Sequence, residues 1–266
     1  MILCNKYRIL APINSGSYGT IYKGENIRTG ELVAIKIEDK QPHSLLVNES
    51  KIYIYLAASE GIPQAKWFGV KDNKHILVMP LLDMTLSTMR KTYGKMEWIN
   101  VMKIGIQMIR RLQFIHTKEL IHRDIKPDNW LFGRGEHSHI LYLVDFGFCK
   151  RYRLPNGNHI SLKQTSNIIG TLNYASLNVH NKMEPSRRDD LESAVYCWMY
   201  LLDELPWEHL LDSFSVEELK KRIVSIPHLV HNVLKDILIY VRHLEFEETP
   251  DYEWIISRLS TNISSC

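Results

Sequence analysis

The run at residues 122–129, His-Arg-Asp-Ile-Lys-Pro-Asp-Asn, has residue types and spacing suited to the transfer of a phosphoryl group to a hydroxyl. Asp124 could accept the proton of the attacking hydroxyl, and Lys126 could reach the phosphate that is transferred. Asn129 offers a neutral oxygen ligand for magnesium. The alternative is a polar loop that merely follows a helix, and eight residues in this order argue against it.

A second acidic motif, Asp145-Phe146-Gly147, follows a strand-like stretch at residues 140–144. Asp145 would be the carboxylate that binds the magnesium bridging the phosphates. A strand-ending Asp followed by Gly is often only a turn. Its position twenty-one residues after Asp124 favours the magnesium ligand.

A glycine-rich segment lies at a predicted strand–turn–strand junction near the N-terminus. Glycines there let backbone N–H groups approach phosphate oxygens closely. The residues of interest are Ser15, Gly16, Ser17 and Gly19, with Ile21 beyond them. An ordinary hairpin turn is the alternative, because a lone glycine motif is a weak signal.

Lys36 ends the strand-like Val33-Ala34-Ile35-Lys36. The alternative is a solvated charge at a sheet edge. Glu49, thirteen residues later, falls on the inward face of the helix predicted in this part of the chain. A Lys36–Glu49 pair would fix the lysine for the α- and β-phosphates of a nucleotide.

The acceptor class is indicated by Lys126 together with Gly170-Thr171. We expect Thr171 to be the hydrogen-bond partner of Asp124 and Lys126, which favours serine or threonine over tyrosine as the acceptor. A plain turn threonine is the alternative.

The elements that must position these residues change character near Pro80. Before it, short β-rich runs at residues 7–13, 19–26, 32–37, 65–70 and 75–79 surround one helix at residues 44–58. After it come amphipathic helices near residues 98–115, 216–223, 229–244 and 254–259, and an apolar, buried helix at 191–202. The fold class is therefore predicted to be α+β, with a β-rich lobe, a larger helical lobe and a ligand cleft between them.

The composition is that of a globular protein, with 45% hydrophobic and 24% charged residues among 266. A net charge of +3 gives no reason to expect a nucleic-acid or membrane partner. Four scattered cysteines fit a reducing compartment. We expect no signal peptide, because the first residues include a charge within six positions and no long apolar stretch, and no apolar run approaches about 20 residues. We expect an intracellular protein of the cytoplasm, the nucleus or both.

Several further runs make the chain closely resemble the casein kinase 1 family of serine/threonine protein kinases. They are Glu49-Ser50-Lys51-Ile52-Tyr53, Gly61-Ile62-Pro63, Ser186-Arg187-Arg188-Asp189-Asp190-Leu191-Glu192-Ser193, Leu205-Pro206-Trp207 and Pro250-Asp251-Tyr252. The Ala-Pro-Glu common in other kinases is replaced by Ala175-Ser176-Leu177-Asn178.

The resemblance implies one bilobal kinase domain over residues 1–266, with an N-lobe at 1–79, a hinge at 80–83 and a C-lobe at 84–266. It implies ATP and Mg2+, protein substrates with Ser or Thr acceptors, and a monomer. It also places Asp190 in the hydrogen bonding of the catalytic loop, a role compatible with a simple helix N-cap. The implied nucleotide contacts are Ile13, Ser15, Gly16, Ser17, Gly19, Ile21, Lys36, Glu49, the gatekeeper Met79 and the hinge residue Leu82.

Some positions depart from the family. Asn14 replaces the usual first loop glycine, which predicts a changed rather than an inactive loop. Pro80 occupies the first hinge position, and Val195 replaces a common glycine. Asn173 stands where the family carries an arginine linked to phosphorylated or acidic substrates, so we expect weaker dependence on a priming phosphate.

The sequence ends soon after the last predicted helix, which leads us to expect constitutive activity without inhibition by a tail. A pseudokinase that acts as a scaffold or regulator is the alternative, suggested by Asn14 and the altered anion site. The retention of every charged motif residue argues against it. A different nucleotide-binding module is disfavoured because no Gly-x-x-x-x-Gly-Lys-Ser/Thr loop occurs.

Overall fold

The computed structural model describes residues 2–16, 19–56, 59–226 and 228–261. The chain divides into two compact units: Met1–Met84 with Leu131–Phe148, and Thr85–Trp130 with Cys149–Cys266. In chain order the elements of the described residues are β1 (Ile2–Leu3), β2 (Tyr7–Gly16), β3 (Gly19–Asn26), β4 (Leu32–Asp39), α1 (Leu45–Tyr55), β5 (Trp67–Lys71), β6 (Lys74–Pro80), α2 (Leu86–Tyr93), α3 (Trp98–Thr117), β7 (Leu120–Ile121), β8 (Trp130–Phe132), β9 (Leu141–Leu143), β10 (Lys150–Arg151), α4 (Leu177–His180), α5 (Arg187–Leu202), α6 (Ser213–Arg222), α7 (Asn232–His243) and α8 (Tyr252–Thr261).

The first unit contains an antiparallel sheet whose strands run in the order β1-β2-β3-β4-β6-β5. Alternate side chains of β4 enter its core, with Val33 and Ile35 fully buried. On β6, Ile76 and Val78 join the same cluster, and Ile35 pairs directly with Val78. Because side chains alternate along a strand, this register places the side chain of Lys36 on the face of β4 opposite to Val33 and Ile35.

Helix α1 begins where Ser44 caps it, because the Ser44 hydroxyl accepts a hydrogen bond from the N–H of Val47. The buried carboxylate of Glu38 at the end of β4 accepts the Ser44 O–H at 2.8 Å and the N–H of Leu46 at 2.9 Å. These bonds tie the start of the helix to the sheet. Glu49 consequently lies one turn along α1 with its side chain buried.

The second unit is built around α5, in which fourteen of sixteen residues are buried. Helix α3 packs against it through an apolar face that includes Met108 and Leu112. Gly105 permits the close approach, since a Cβ there would lie 3.2 Å from the Trp198 ring and from the side chain of Leu259 on α8. Helix α7 adds Val233, Leu234, Ile237, Leu238 and Val241, an apolar face at helical spacing.

The predicted α+β fold class is confirmed, with the β-rich sheet in the N-terminal part and the long helices in the C-terminal part. Within the ranges that the structure describes, no helix combines the length and the apolar character needed to cross a bilayer.

Candidate functional site

In the first unit, Lys36 on β4 is the centre of a charged triad. Its Nζ lies 2.7 Å from Glu49 Oε2 and 2.9 Å from Asp145 Oδ1. Burial opposes the charge on the lysine, but the two carboxylates outweigh it and raise the pKa of Lys36. Burial raises the pKa of Glu49 to about 7, a rise that the charge of Lys36 limits. A charged Lys36 is therefore fixed on the sheet.

The Asp145-Phe146-Gly147 segment is attached to α1 at three points. The Asp145 N–H donates to the Tyr53 hydroxyl at 3.2 Å, and Asn48 Nδ2 donates to the Gly147 carbonyl at 3.0 Å. The rings of Phe146 and Tyr53 meet edge to face with centroids 5.2 Å apart. Because Glu49 lies on the same helix, α1 positions both carboxylates that contact Lys36.

The glycine-rich segment is a hairpin between β2 and β3, in which Gly16 pairs with Gly19. Gly19 has φ +114°, and a side chain there would collide with the Ile37 carbonyl. The hydroxyls of Ser15 and Thr20 lie 3.2 Å apart. Ser17, a predicted phosphate contact, is outside the described residues.

The other predicted nucleotide contacts lie on the same sheet or directly after it. Ile21 pairs with Lys36 across β3 and β4, whereas Ile13 is exposed at an irregularity in the β2–β3 register. Met79 pairs with Ala34 near the end of β6, and Leu82 follows that strand; both side chains are half-buried. Of these residues, Ile21 lies closest to the triad in the strand register.

In the second unit, three predicted catalytic residues meet. Lys126 Nζ donates to Asp124 Oδ2 at 2.7 Å, and the Thr171 hydroxyl donates to Asp124 Oδ1 at 2.9 Å. Lys126 also contacts the Thr171 hydroxyl at 3.2 Å. Asp124 is buried, while Lys126 and Thr171 are half-buried. The arrangement holds a carboxylate and an ammonium in fixed positions, as a proton acceptor and a phosphate contact require.

Asn129 ends a 3-10 turn at Pro127–Asn129. Its amide nitrogen donates to the Asp124 carbonyl at 2.8 Å and lies 3.5 Å from Asp124 Oδ2. With the nitrogen directed at Asp124, the amide oxygen is the atom that could bind a cation.

In the first unit, the Asp145 side chain keeps about a third of its surface exposed. Both donor sets fit magnesium, which prefers oxygen ligands.

No cluster of three or more His, Cys, Asp or Glu side chains suited to a metal ion occurs among the residues described. The oxygen donors of Asn129 and Asp145 remain the predicted magnesium ligands.

The loop that carries Asp124 is held by Asp190, at the start of α5. Its buried carboxylate accepts the N–H groups of His122 at 2.7 Å and Arg123 at 2.9 Å, and it contacts His116 Nε2 at 3.0 Å. Burial opposes the charge of Asp190, but its bond to His116 and the nearby histidines hold its pKa below the usual value. The carboxylate thus serves as a fixed acceptor for the loop backbone.

The Gly170-Thr171 step approaches this loop closely. Gly170 has φ +91°, and a Cβ there would lie 2.6 Å from the Arg123 carbonyl and 3.3 Å from Asp124 Oδ1. Glycine is therefore required for Thr171 to reach Asp124. Sequence spacing does not reveal how closely Gly170 approaches the Arg123 carbonyl.

Two anchors of the segment after Thr171 were not predicted. Ser176 Oγ donates to the buried Asp189 at 2.6 Å, whose pKa burial raises to about 6. Lys220 Nζ donates to the carbonyls of Leu172 at 2.9 Å and Ala175 at 2.7 Å. A signal for Lys220 does exist, because Val216, Lys220 and Ile223 share one face at helical spacing.

The model of the protein kinase domain family matches residues 7–241 of the chain. The match covers most of the 266 residues and includes both the Lys36 triad and the Asp124 cluster. Domains of this family use ATP, usually with Mg2+, to phosphorylate proteins. The chain belongs to the protein kinase family.

Proposed function

We propose that this protein is a serine/threonine kinase of the casein kinase 1 type, which transfers the ATP γ-phosphate to Ser and Thr hydroxyls of proteins. The observation that carries the proposal is the contact of Asp124 with both Lys126 and Thr171, at 2.7 and 2.9 Å. A lysine two residues after the acidic base, bonded to a threonine, suits a small aliphatic hydroxyl as the acceptor. The runs shared with casein kinase 1, residues 186–193 above all, support the finer assignment.

In the second unit, Asp124 would orient the acceptor hydroxyl and take its proton. The hydroxyl oxygen bonds to the γ-phosphorus while the bond from that phosphorus to the β-phosphate oxygen breaks, and ADP leaves. Lys126 would neutralise charge on the transferred group, and Thr171 would keep both side chains in place. Asn129 would offer its amide oxygen to magnesium. Each role uses an atom whose partners are defined by the contacts above.

In the first unit, Lys36 would bind the α- and β-phosphates while Glu49 holds its charge in position. Asp145 would bind magnesium through its carboxylate. When bound, magnesium would neutralise negative charge on the phosphate groups. The Gly16–Gly19 hairpin would bring backbone N–H groups to the phosphates.

A direct test compares the transfer of labelled γ-phosphate to casein by the wild type, Asp124→Asn and Asp128→Asn. Asp128 is a matched control, since it is an exposed carboxylate four residues further along the same loop. We expect Asp124→Asn to lower kcat by about 100-fold or more, and Asp128→Asn to resemble the wild type. Equal transfer by the wild type and Asp124→Asn would favour the pseudokinase alternative.

The acceptor class and the priming requirement can be measured on matched peptides. Peptides with Ser, Thr or Tyr at one position test the acceptor, and a tyrosine preference would contradict the serine/threonine assignment. For priming, Asn173 supplies no cation where the family has arginine, which favours weak dependence on a prior phosphate. A large kcat/KM preference for the phosphorylated peptide would contradict the proposed weak dependence on a priming phosphate.

A further inference from the structure

Lys220 on α6 is fully buried, with 0% of its surface exposed. Its ammonium donates to the carbonyls of Leu172 at 2.9 Å and Ala175 at 2.7 Å, and lies 3.1 Å from His180 Nε2. A lysine ammonium has three N–H donors, and here it meets three acceptors. This arrangement requires His180 to accept at Nε2, so that its other nitrogen carries the proton toward Ser213, 3.2 Å away.

Two aromatic rings favour the positive charge of Lys220, whereas its burial opposes that charge. The ammonium lies 4.7 Å from the centroid of the Tyr196 ring and 5.2 Å from that of the Trp207 ring. Burial lowers the pKa of Lys220 to about 7; Glu192 on α5 opposes this, and Arg242 on α7 adds to it. The site is therefore organised around one buried lysine and the backbone that it binds.

The backbone in question is the turn that follows Thr171. The Thr171 carbonyl accepts the N–H groups of Tyr174 and Ala175, both at 2.9 Å. Trp207 Nε1 donates to the Asn173 carbonyl at 2.9 Å. Together with the two bonds from Lys220, side chains from outside the turn bind three of its carbonyls within four residues.

We infer that Lys220, with Trp207, is a positioning residue that holds the turn at residues 172–175 and thereby keeps Thr171 against Asp124. The inference rests on the proposed kinase function. Thr171 directly precedes the turn, and its hydroxyl contacts Asp124 at 2.9 Å. A misplacement of about 1 Å can cost about 100-fold in rate, so the anchor affects catalysis without touching a substrate.

Lys220→Met tests the role, because methionine keeps an unbranched apolar chain one atom shorter than lysine and removes the donors. We expect a fall in kcat of about 10- to 100-fold with little change in ATP affinity. Lys220→Arg, which restores donors, should recover part of the rate. If Lys220 acts through Thr171, the double variant with Thr171→Ala should be no slower than Thr171→Ala alone.

Amide hydrogen exchange gives a readout that does not depend on catalysis. Residues 171–176 should exchange faster in Lys220→Met, while α1 and the strands of the first unit keep their wild-type rates. If Lys220→Met does not fold, Trp207→Phe replaces it, since phenylalanine keeps a ring near Lys220 but loses the N–H donor to Asn173. The same effects, smaller in size, are expected.

The pH profile adds a test on the wild type. The titratable groups around Lys220 are His180 on α4, Glu192 on α5 and Arg242 on α7, with Tyr196 beside them. Loss of a proton from Lys220 leaves two N–H donors that are weaker than those of the ammonium, which weakens its bonds to the Leu172 and Ala175 carbonyls. The value of kcat should therefore fall as the pH rises above about 7, and Lys220→Arg should lack this fall.

The inference is overturned if a folded Lys220→Met or Trp207→Phe has the wild-type kcat and exchange rates, or if its loss is additive with that of Thr171→Ala. A wild type that transfers no phosphate contradicts the proposed function instead. In that case the exchange comparison still decides whether Lys220 holds the turn.

Discussion

The carboxylate of Asp190 accepts a 2.9 Å hydrogen bond from the backbone N–H of Arg123, a non-glycine residue with φ +69°. Such a φ is unfavourable for a long side chain and persists only where surrounding contacts enforce it. The enforcing group is a buried helix residue rather than a neighbour in the loop. The geometry next to Asp124 therefore depends on α5.

Asp190→Asn should lower the free energy of unfolding by about 3 kcal/mol, because the amide offers one acceptor where three donors converge. Urea denaturation measures the change. Asp203→Asn at the exposed end of the same helix is the control, with an expected loss below about 1 kcal/mol. Equal losses in the two variants would contradict this role of Asp190.

Gly170→Ala should destabilise the fold by about 1 to 3 kcal/mol and slow phosphate transfer, since the new Cβ would press on Arg123 and Asp124. Gly157→Ala is a matched control: Gly157 has φ +84°, but nothing lies within 4 Å of its added Cβ. The difference between the two, measured by thermal unfolding and kcat, isolates the close approach. If both behave alike, backbone conformation alone explains the cost.

Glu49→Gln should lower kcat/KM for ATP by about 100-fold, because a neutral amide no longer fixes the charge of Lys36. The exposed pair of Lys74 and Asp39, 3.0 Å apart at the far end of the same sheet, supplies the control Asp39→Asn. Steady-state kinetics with varied ATP measure both variants. If Glu49→Gln and Asp39→Asn both matched the wild type, the role of Glu49 would be contradicted.

His180 predicts a specific pH dependence of stability. Burial, followed by the charge of Lys220, lowers the pKa of His180 from 6.5 to about 4. Between pH 6.5 and 4 the unfolded chain binds more protons at His180 than the folded chain does. The contribution of neutral His180 to the free energy of unfolding is therefore complete above pH 6.5 and is lost as the pH falls toward 4. The expected size is about 2 to 3 kcal/mol.

The measurement is urea denaturation from pH 4 to 7 on the wild type and His180→Gln. Gln retains an acceptor for Lys220 but does not titrate. Subtracting the two curves removes the opposite contribution of groups such as Asp189, whose pKa is raised. Parallel curves would show that His180 does not titrate in this window.

Much of the fold could be predicted where side-chain periodicity reports burial. The predicted strand at residues 19–26 coincides with β3, and the long helix begins at Trp98 as predicted. Helix α5 begins at Arg187, four residues before its apolar run, because its first turn buries charged groups that pair with polar partners. Helix α2 was missed because only two of its eight residues are buried.

In the candidate site too, some contacts could be predicted from the sequence and others could not. Spacing was sufficient to pair Lys36 with Glu49 and to group Asp124, Lys126 and Thr171, which the structure brings together. The contacts of Lys220 with backbone carbonyls 45 and 48 residues away could not be predicted, because carbonyls carry no sequence signal. The roles of all these residues in catalysis stay predictions until the variants are measured.

The attachment of Phe146 to α1 has a consequence for inhibitor design. A compound that binds only after Phe146 has left its place must break the ring contact with Tyr53 and the bond from Asn48 to Gly147. Its affinity would be reduced by the cost of populating that conformation. Inhibitors that accept the Phe146 position seen here avoid this cost, and substitutions of Tyr53 should distinguish the two classes of compound.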